Sequence, residues 1–334
     1  MFFPLKQDSF KIPASGNPLA KIAIVGSHIT AFDRKETKPF SGPGGTVLES
    51  CLHAAGIIRR EVYMTNLFKE LGLEKEYDPR SGTFSIVGRA CVEELRDELE
   101  ACDANIIVAC GEAASVALCG VANVSQYRGY IFPSDIGLSQ ERKVIPTYEP
   151  HETLRGSYIL RYPMIADLGK AKRFSGSREF TRPDRNLVYN FSDIQEALEW
   201  LESYEHVERV AVDIEVLNYE VSCISFSSNP NLAISIPLVS QWELEEEVLL
   251  WRAFQKVLGN DKSKKVLQNG IFDIQFLMAQ CGVVTRGPIE DTMIAHSIMY
   301  PDLLKGLGFL GSIYCEDQEY WKDTVKFKNI KGNS

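Results

Sequence analysis

The chain has 334 residues, of which 45% are hydrophobic and 24% charged, and its formal net charge is −9. This length is enough for about two domains of ordinary size, each with its own core. The negative charge argues against a protein that coats nucleic acid by bulk electrostatics, because neutralising phosphates requires clustered Lys and Arg. It does not argue against a nuclease, since a site for divalent cations is itself a cluster of carboxylates.

The sequence shows no segment typical of membrane insertion or export. No stretch approaches the roughly 18 consecutive apolar residues of a membrane span, and the first residues lack the basic flank and apolar core of a signal peptide. The eight cysteines are scattered, without Cys-x-x-Cys or the short Cys/His spacings of zinc sites. We therefore expect a cytosolic protein with reduced thiols and no membrane partner.

The first half of the chain alternates short apolar runs with helical patterns, which is typical of α/β folds. The predicted strands are 21–26, 61–68, 105–111 and 142–148, and the predicted helices are 46–57, 90–102 and 112–120. Loop or helix-start residues follow each strand. In α/β folds this carboxyl end of the sheet is where ligands bind.

A polar segment over 172–186, with Ser, Gly, Pro and many charges, is the best candidate for a linker. A second α/β pattern follows, starting with an amphipathic helix for which Ser192 is a plausible N-cap. Its predicted strands are 207–215, 220–228, 232–238 and 264–268, and its helices are 192–204, 243–258, 271–281 and 290–300. Three consecutive strands with short connections predict a mixed sheet.

Two acids, Asp213 and Glu215, stand at i and i+2 of a predicted strand and therefore point to the same face. A carboxylate pair at a sheet surface is costly without a cation. The alternative for an isolated Asp-x-Glu is a strand end with solvated acids. Context favours the metal site, because Asp273 lies in the first turn of a later helix, where a third carboxylate can join the pair. Asp291 begins a further helix.

These motifs, in this order, resemble the proofreading domain of family A DNA polymerases and its relatives in the DEDD exonuclease superfamily. The family's first motif is Asp-x-Glu on a strand, and its second is Asn followed four residues later by Asp, here Asn269 and Asp273. The resemblance implies an RNase H-like mixed-sheet domain that hydrolyses DNA 3′ ends, single-stranded or frayed.

The same resemblance implies a two-metal mechanism with Mg²⁺ or Mn²⁺. Asp213 would bind both metals, Glu215 would bind one and orient the attacking water, and Asp273 would hold the outer metal. Asn269 would lie near the terminal nucleotide.

The family's last motif places Tyr four residues, or His five residues, before a final Asp. None of the acids after Asp291 has this spacing: Asp302, Glu316, Asp317, Glu319 and Asp323. Tyr320 precedes Asp323 by three residues, which is the wrong angle on a helix. We expect the site and the sheet to be completed elsewhere, by a downstream polymerase segment or a separate polymerase chain. Activity of this chain alone should then be poor.

Residues 20–170 contain a Pro-Phe-Ser-Gly segment with Phe40, a Thr-Asn pair with Asn66 and a Tyr-Glu-Pro-His segment with Glu149. They resemble the uracil-DNA glycosylase superfamily, families 4 and 5, which implies an α/β/α sandwich with a parallel central sheet. Phe40, in Pro-Phe-x-Gly, would stack on a flipped base, and Asn66 would read its edge. Where the family has an acid that orients or activates water, this chain has Ser27. Where the family usually has a His, this chain has Glu149. The cysteines of an iron–sulfur cluster are absent from their positions, so no cluster is expected.

Two interpretations of this region follow from its altered positions. In the first, the domain has lost catalysis and is kept for DNA binding or for docking to the polymerase. In the second, it remains a glycosylase or uracil sensor that uses Glu149, His151 or His28.

The predicted domains are 1–171, a linker over 172–188, and 189–334. The arrangement is similar to the N-terminal portion of some bacteriophage DNA polymerases, which implies a replication enzyme in the host cytoplasm. The competing class is a noncatalytic DNA-binding or polymerase-assembly module.

Overall fold

The computed structural model describes residues 10–154, 157–239, 241–316 and 320. The chain forms two compact units. The first contains the residues up to Arg182 together with the described residues from Gly308 onward, and the second is Pro183–Leu307. Both are α/β, as the sequence predicts, although the units divide the chain at other positions than the predicted domains. No helix in the described ranges has the length and apolar character needed to cross a membrane.

A six-stranded sheet forms the centre of the first unit. Its strands are β1 Ser15–Gly16, β2 Ile22–His28, β3 Tyr63–Phe68, β6 Ile106–Cys110, β7 Phe132–Pro133 and β8 Lys143–Thr147, and a separate hairpin joins β4 Tyr77–Asp78 to β5 Thr83–Phe84. The order is β1-β3-β2-β6-β8-β7, with the four central strands parallel and both edge strands antiparallel. Because both faces of the parallel strands are covered, these strands read as nearly continuous apolar runs.

Helices cover the sheet of the first unit on both faces. They are α1 Ala31–Glu36, α2 Pro43–Ala54, α3 Ile86–Glu100, α4 Glu112–Cys119, α5 Val124–Tyr127, α6 Arg161–Phe174 and α11 Leu307–Tyr314. One core joins α2 and α6 to the sheet through Leu48 and Leu168, and the other joins α3 and α4 through Leu95 and Leu118. Two cores with one sheet between them make an α/β/α sandwich, as expected.

The second unit contains a mixed sheet of six strands. They are β9 Asn186–Val188, β10 Arg209–Leu217, β11 Glu220–Asn229, β12 Leu232–Pro237, β13 Lys264–Leu267 and β14 Ile289–Asp291, in the order β14-β13-β10-β11-β12-β9. The consecutive strands β10, β11 and β12 are antiparallel, whereas β9, β13 and β14 pair in parallel. The helices are α7 Ile194–Tyr204, α8 Leu244–Gly259, α9 Ile271–Cys281 and α10 Thr292–Met299. The predicted mixed sheet is confirmed.

Regular structure occupies both ends of the segment predicted as a linker. Helix α6 extends to Phe174, and β9 pairs with β12 from Asn186. The predicted N-cap of α7 is off by one residue. Asp193 accepts the amide of Glu196, whereas the Ser192 hydroxyl donates to the Glu196 carboxylate.

Candidate functional site

In the second unit, strand β10 carries the Asp-x-Glu pair. Residues along β10 alternate between buried and exposed, with Val212 and Ile214 in the core and both Asp213 and Glu215 on the open face. The alternation follows from the two-residue period of a strand, so a single strand presents both carboxylates in one direction.

Asp273 joins the pair from the first turn of α9. Strand β13 pairs with β10 only as far as Ala211, and beyond that point the chain turns into α9. The amide of Ile214, between the two acids, donates to Asp273 Oδ1 at 3.1 Å. Asp273 is 5% exposed, so this bond both satisfies a buried carboxylate and fixes it beside Asp213 and Glu215.

The electrostatics of the site reflect three acids in one place. Partial burial, together with the charges of Asp273 and Glu215, raises the pKa of Asp213 to about 6. Burial also raises the pKa of Asp273, with Asp291 and Glu215 adding to it, although the Ile214 amide opposes the change. A bound cation would relieve this mutual repulsion.

The turn that connects β13 to α9 contains Asn269, which has φ of +60°, in the left-handed region. Asp291 accepts the amides of Asn269 and Gly270 at 3.3 and 2.8 Å, and also those of Met293 and Ile294 at 2.8 and 3.1 Å. One carboxylate therefore caps α10 and clamps the turn before Asp273. Asn269 itself is exposed next to these acids.

The donor set fits Mg²⁺ or Mn²⁺, since all three candidate ligands are hard carboxylate oxygens. Within the described residues no three acidic, His or Cys side chains are close enough to enclose an ion. Mg²⁺ commonly uses one or two carboxylates and completes its shell with water and substrate phosphates. Asp213, Glu215 and Asp273 match that open kind of site.

Five later acids are the sequence's candidates for a fourth carboxylate. Asp302 is exposed, and Glu316 pairs with Arg173 in the first unit. Asp317, Glu319 and Asp323 lie outside the described residues.

The first unit has a cavity of about 350 Å³ at the carboxyl end of its parallel strands. His28, at the end of β2, and His151, in the turn after β8, have ring centroids 5.2 Å apart at its wall. Phe40 and Glu149 also line it, whereas Asn66 and Ser27, which the sequence also predicts here, do not. The α/β architecture thus brings together residues from the end of β2, the loop between α1 and α2, and the turn after β8.

Family models match the two units separately. The uracil DNA glycosylase superfamily matches residues 13–166, and the 3′-5′ exonuclease family matches residues 188–329. A type-4 uracil-DNA glycosylase of Thermotoga maritima is 30% identical over 167 residues, covering 49% of this chain and 82% of the relative. The chain belongs to the uracil-DNA glycosylase superfamily. It continues into a 3′-5′ exonuclease domain of the DNA polymerase type.

A phage protein matches both units together. The DNA polymerase of Bacillus phage SP01 is 23% identical over 318 residues, or 85% of this chain. The chain spans about a third of that polymerase, 33% of its length. Among solved structures, Escherichia coli RNase D matches 46% of this chain and 39% of its own, with 13% identity and a TM-score of 0.34.

Glu149 of the glycosylase unit contacts Ser27, near the end of β2, the position where the resemblance places the family's acid. Glu149 Oε2 accepts the amide of Ser27 at 3.1 Å, and its other oxygen lies 3.9 Å from His151 Nδ1. Burial, with the charges of Glu152 and Asp33, raises the pKa of Glu149 to about 8 although the Ser27 amide opposes the change. The Ser27 hydroxyl is used internally, since it donates to Cys110 O at 2.9 Å and accepts the Ala114 amide at 3.3 Å.

Phe40 and Asn66 of the glycosylase unit converge over Gly26. A Cβ at Gly26 would lie 2.1 Å from Asn66 Oδ1 and 2.8 Å from the Phe40 ring, so only glycine fits. Asn66 Oδ1 is buried and has no hydrogen-bond partner within the described residues. An unsatisfied buried amide oxygen beside an aromatic ring suits the reading of a base edge.

Sequence reasoning missed two residues that hold these loops. Asp33 is buried and accepts the amides of Thr30 and Ser41 at 2.6 and 2.7 Å, which shapes the loop that carries Phe40. Its signal is a Thr-x-x-Asp capping box. The sequence also indicates Asp291 as an N-cap. It does not indicate the hydrogen bonds that Asp291 accepts from the Asn269 turn, because residue spacing does not reveal those contacts.

Proposed function

We propose that the exonuclease domain hydrolyses the terminal phosphodiester at DNA 3′ ends, single-stranded or frayed, as part of a DNA replication polymerase. The observation that carries this is the bond from the Ile214 amide to Asp273, because it gathers Asp213, Glu215 and Asp273 at one strand. Water adds to the phosphorus, the bond to the 3′ oxygen breaks, and a nucleoside 5′-monophosphate leaves.

Each side chain has a separate task in this proposal. Asp213 and Asp273 would hold two divalent cations, Mg²⁺ or Mn²⁺, and Glu215 would hold one of them and orient the attacking water. The ions supply charge neutralisation at phosphorus and a more acidic water. Asn269 lies exposed beside the acids, where its amide can bond the terminal nucleotide.

The glycosylase unit would serve mainly to bind DNA or to dock the polymerase segment. Support comes from the two altered positions, because the Ser27 hydroxyl is committed to the Cys110 carbonyl and the Ala114 amide. The raised pKa of Glu149, about 8, favours the neutral carboxyl at pH 7. A neutral carboxyl can hydrogen-bond a base but takes no proton from water.

The test is digestion of 3′-labelled single-stranded DNA with Mg²⁺ or Mn²⁺. Asp213→Ala should slow metal-dependent digestion by more than about 100-fold, beyond the loss typical of an outer-shell partner. Glu199→Ala, on the exposed face of α7, is the matched control and should digest normally. Tight DNA binding by the unmodified chain without digestion in either metal would instead favour the noncatalytic DNA-binding or assembly module.

A uracil-DNA glycosylase or uracil sensor is a second candidate. One observation favours it: Glu149 places a carboxyl against the Ser27 amide, beside Phe40, His28 and His151 in one cavity. The test is to incubate the protein with a uracil-containing oligonucleotide and to look for an alkali-labile abasic site. If none forms, the chain is not an active glycosylase, and only the uracil sensor is left of this candidate.

A further inference from the structure

A second cavity, of about 310 Å³, lies in the glycosylase unit at the other end of β8. Lys143 begins β8 and Glu149 lies six residues further on, so the two cavities are about 20 Å apart along an extended strand. Its lining includes four cations and two aromatic rings: Arg142, Lys143, Arg178, Arg182, Phe132 and Phe180. Glu141 is the acid that also lines it.

Lys143 is the most unusual of these cations. It is 3% exposed, and its ammonium donates to the carbonyl of Glu179 at 3.0 Å and lies 5.8 Å from the Phe174 ring. In the described part of the chain no carboxylate comes within ion-pair distance of it. Burial lowers the pKa of Lys143, with no acid opposing the change. A buried ammonium without a counter-ion is costly, and a bound anion would offset that cost.

Arg142 adds a second buried charge. It is also 3% exposed, and it donates to the carbonyl of Leu99 at 2.5 Å. Its Nε–H has no hydrogen-bond partner among the residues that the structure describes. Two acids whose charges interact with Arg142 are engaged elsewhere, since Glu100 accepts from Ser139, and Asp103 accepts from Lys21 and Arg178.

The segment after α6 closes the cavity. Arg178 pairs with Asp103 at 3.0 Å, and Arg182 donates to the carbonyl of Ile131 at 3.0 Å and lies 5.3 Å from the Phe180 centroid. Guanidinium and ammonium groups are the usual phosphate ligands in proteins, and the half-buried ring of Phe180 beside them suits a sugar or base.

We propose that this cavity binds a phosphate group, of a free nucleotide or of a DNA strand, through Lys143, Arg142 and Arg182, with Phe180 against the adjoining nucleoside. The site is separate from both the carboxylate cluster and the cavity at Glu149. It needs neither metal nor catalysis, so its test is independent of the exonuclease proposal.

The first experiment measures thermal unfolding of the whole chain in EDTA, with inorganic phosphate or thymidine 5′-monophosphate added at constant ionic strength. Both should raise the melting temperature of the unmodified protein with saturation. Lys143→Met should melt higher than the unmodified protein without phosphate, and its apparent Kd for phosphate should rise at least 10-fold. Arg182→Gln changes a half-buried position, unlike the fully buried Lys143, and should also weaken binding. Lys75→Met, at an exposed lysine outside the cavity, is the control.

The second experiment measures binding of single-stranded oligo-dT in EDTA by fluorescence anisotropy at several salt concentrations. If the DNA strand is the ligand, Lys143→Met and Arg182→Gln should each reduce the salt slope by about one. If only thymidine 5′-monophosphate binding falls, the ligand is a free nucleotide. An equal response to phosphate in the unmodified protein and both variants would overturn the proposal.

Discussion

Glu149 shows how its surroundings, and burial most of all, change the chemistry of a single residue. Its ordinary pKa of 4.5 rises to about 8 in the folded protein. Below pH 4.5 the carboxyl is neutral in both states and has no effect on stability. Between pH 4.5 and 8 the folded state keeps a proton that the unfolded state has lost, so stability falls as pH rises. Above pH 8 the loss is complete.

Glu149→Gln should remove this dependence. A shift from 4.5 to about 8 corresponds to on the order of 5 kcal/mol at 1.36 kcal/mol per unit. Urea unfolding at pH 5 and pH 8.5 should show the variant gaining relative to the unmodified protein, because Gln still accepts the Ser27 amide. The acids and histidines facing Glu149 are Asp33, Glu152, His28 and His151, so Glu152→Gln is the control for their charges. Parallel pH profiles in the two proteins would contradict the prediction.

For single residues, the sequence predicts the side of a strand to which a side chain points better than it predicts contacts with distant residues. Asp213 and Glu215 share a face because strand geometry requires it. The bond from Ile214 to Asp273 depends on where β13 stops pairing with β10, and that is a tertiary fact. The same holds for Glu149, whose contact with Ser27 joins residues 122 positions apart.

The elements themselves follow the sequence closely where apolar periodicity is strong. Helix α9 has the predicted bounds, and β11 and α4 differ from theirs by one residue. Helix α6 was missed because Pro163 and Gly169 interrupt its pattern, and its basic end reads as the start of a linker. The short helix α1, between two loops, gives too few residues for a period.

The turn between β13 and α9 is the element on which the exonuclease site depends. Asp291→Ala removes the acceptor of four amides, two of them in this turn. Loss of an N-cap costs about 1 kcal/mol. The loosened turn should also raise the Mn²⁺ concentration needed for half-saturation by about 10-fold, as for other outer-shell partners. Calorimetric titration with Mn²⁺ and urea unfolding measure the two effects.

Asp193→Ala is the matched control for this prediction, because Asp193 caps α7 of the same unit in the same way. It should lose similar stability and bind Mn²⁺ normally. Asp291→Asn keeps an acceptor at the cap and should recover part of the affinity. If both alanine variants bind Mn²⁺ equally, Asp291 acts only as a helix cap.

At the scale of the whole molecule, the first unit is built from two segments that flank the exonuclease unit in sequence. The exonuclease family matches residues up to 329, yet the described residues from Gly308 onward pack with the first unit. Tyr130 donates to the carbonyl of Gly308 at 2.6 Å, and Arg128 donates to the Ser312 hydroxyl at 2.8 Å. Sequence comparison cannot reveal this, because the returning segment carries no motif of the glycosylase superfamily.

Lys170 makes hydrogen bonds between the two segments of the first unit, so its substitution is the clearest test of their packing. The ammonium is 1% exposed and donates to the carbonyls of Gly129, Ser312 and Cys315 at 2.7, 2.8 and 2.8 Å. Lys170→Met would leave three carbonyls without their donor, at about 1 kcal/mol or more each. We expect a loss of about 3 kcal/mol in urea unfolding and faster proteolysis within 308–316. Lys172→Met, on the exposed side of α6, removes a bond to the Gly56 carbonyl and should leave proteolysis of that segment unchanged. Equal protection of residues 308–316 in both variants would show that Lys170 does not hold the returning segment in the first unit.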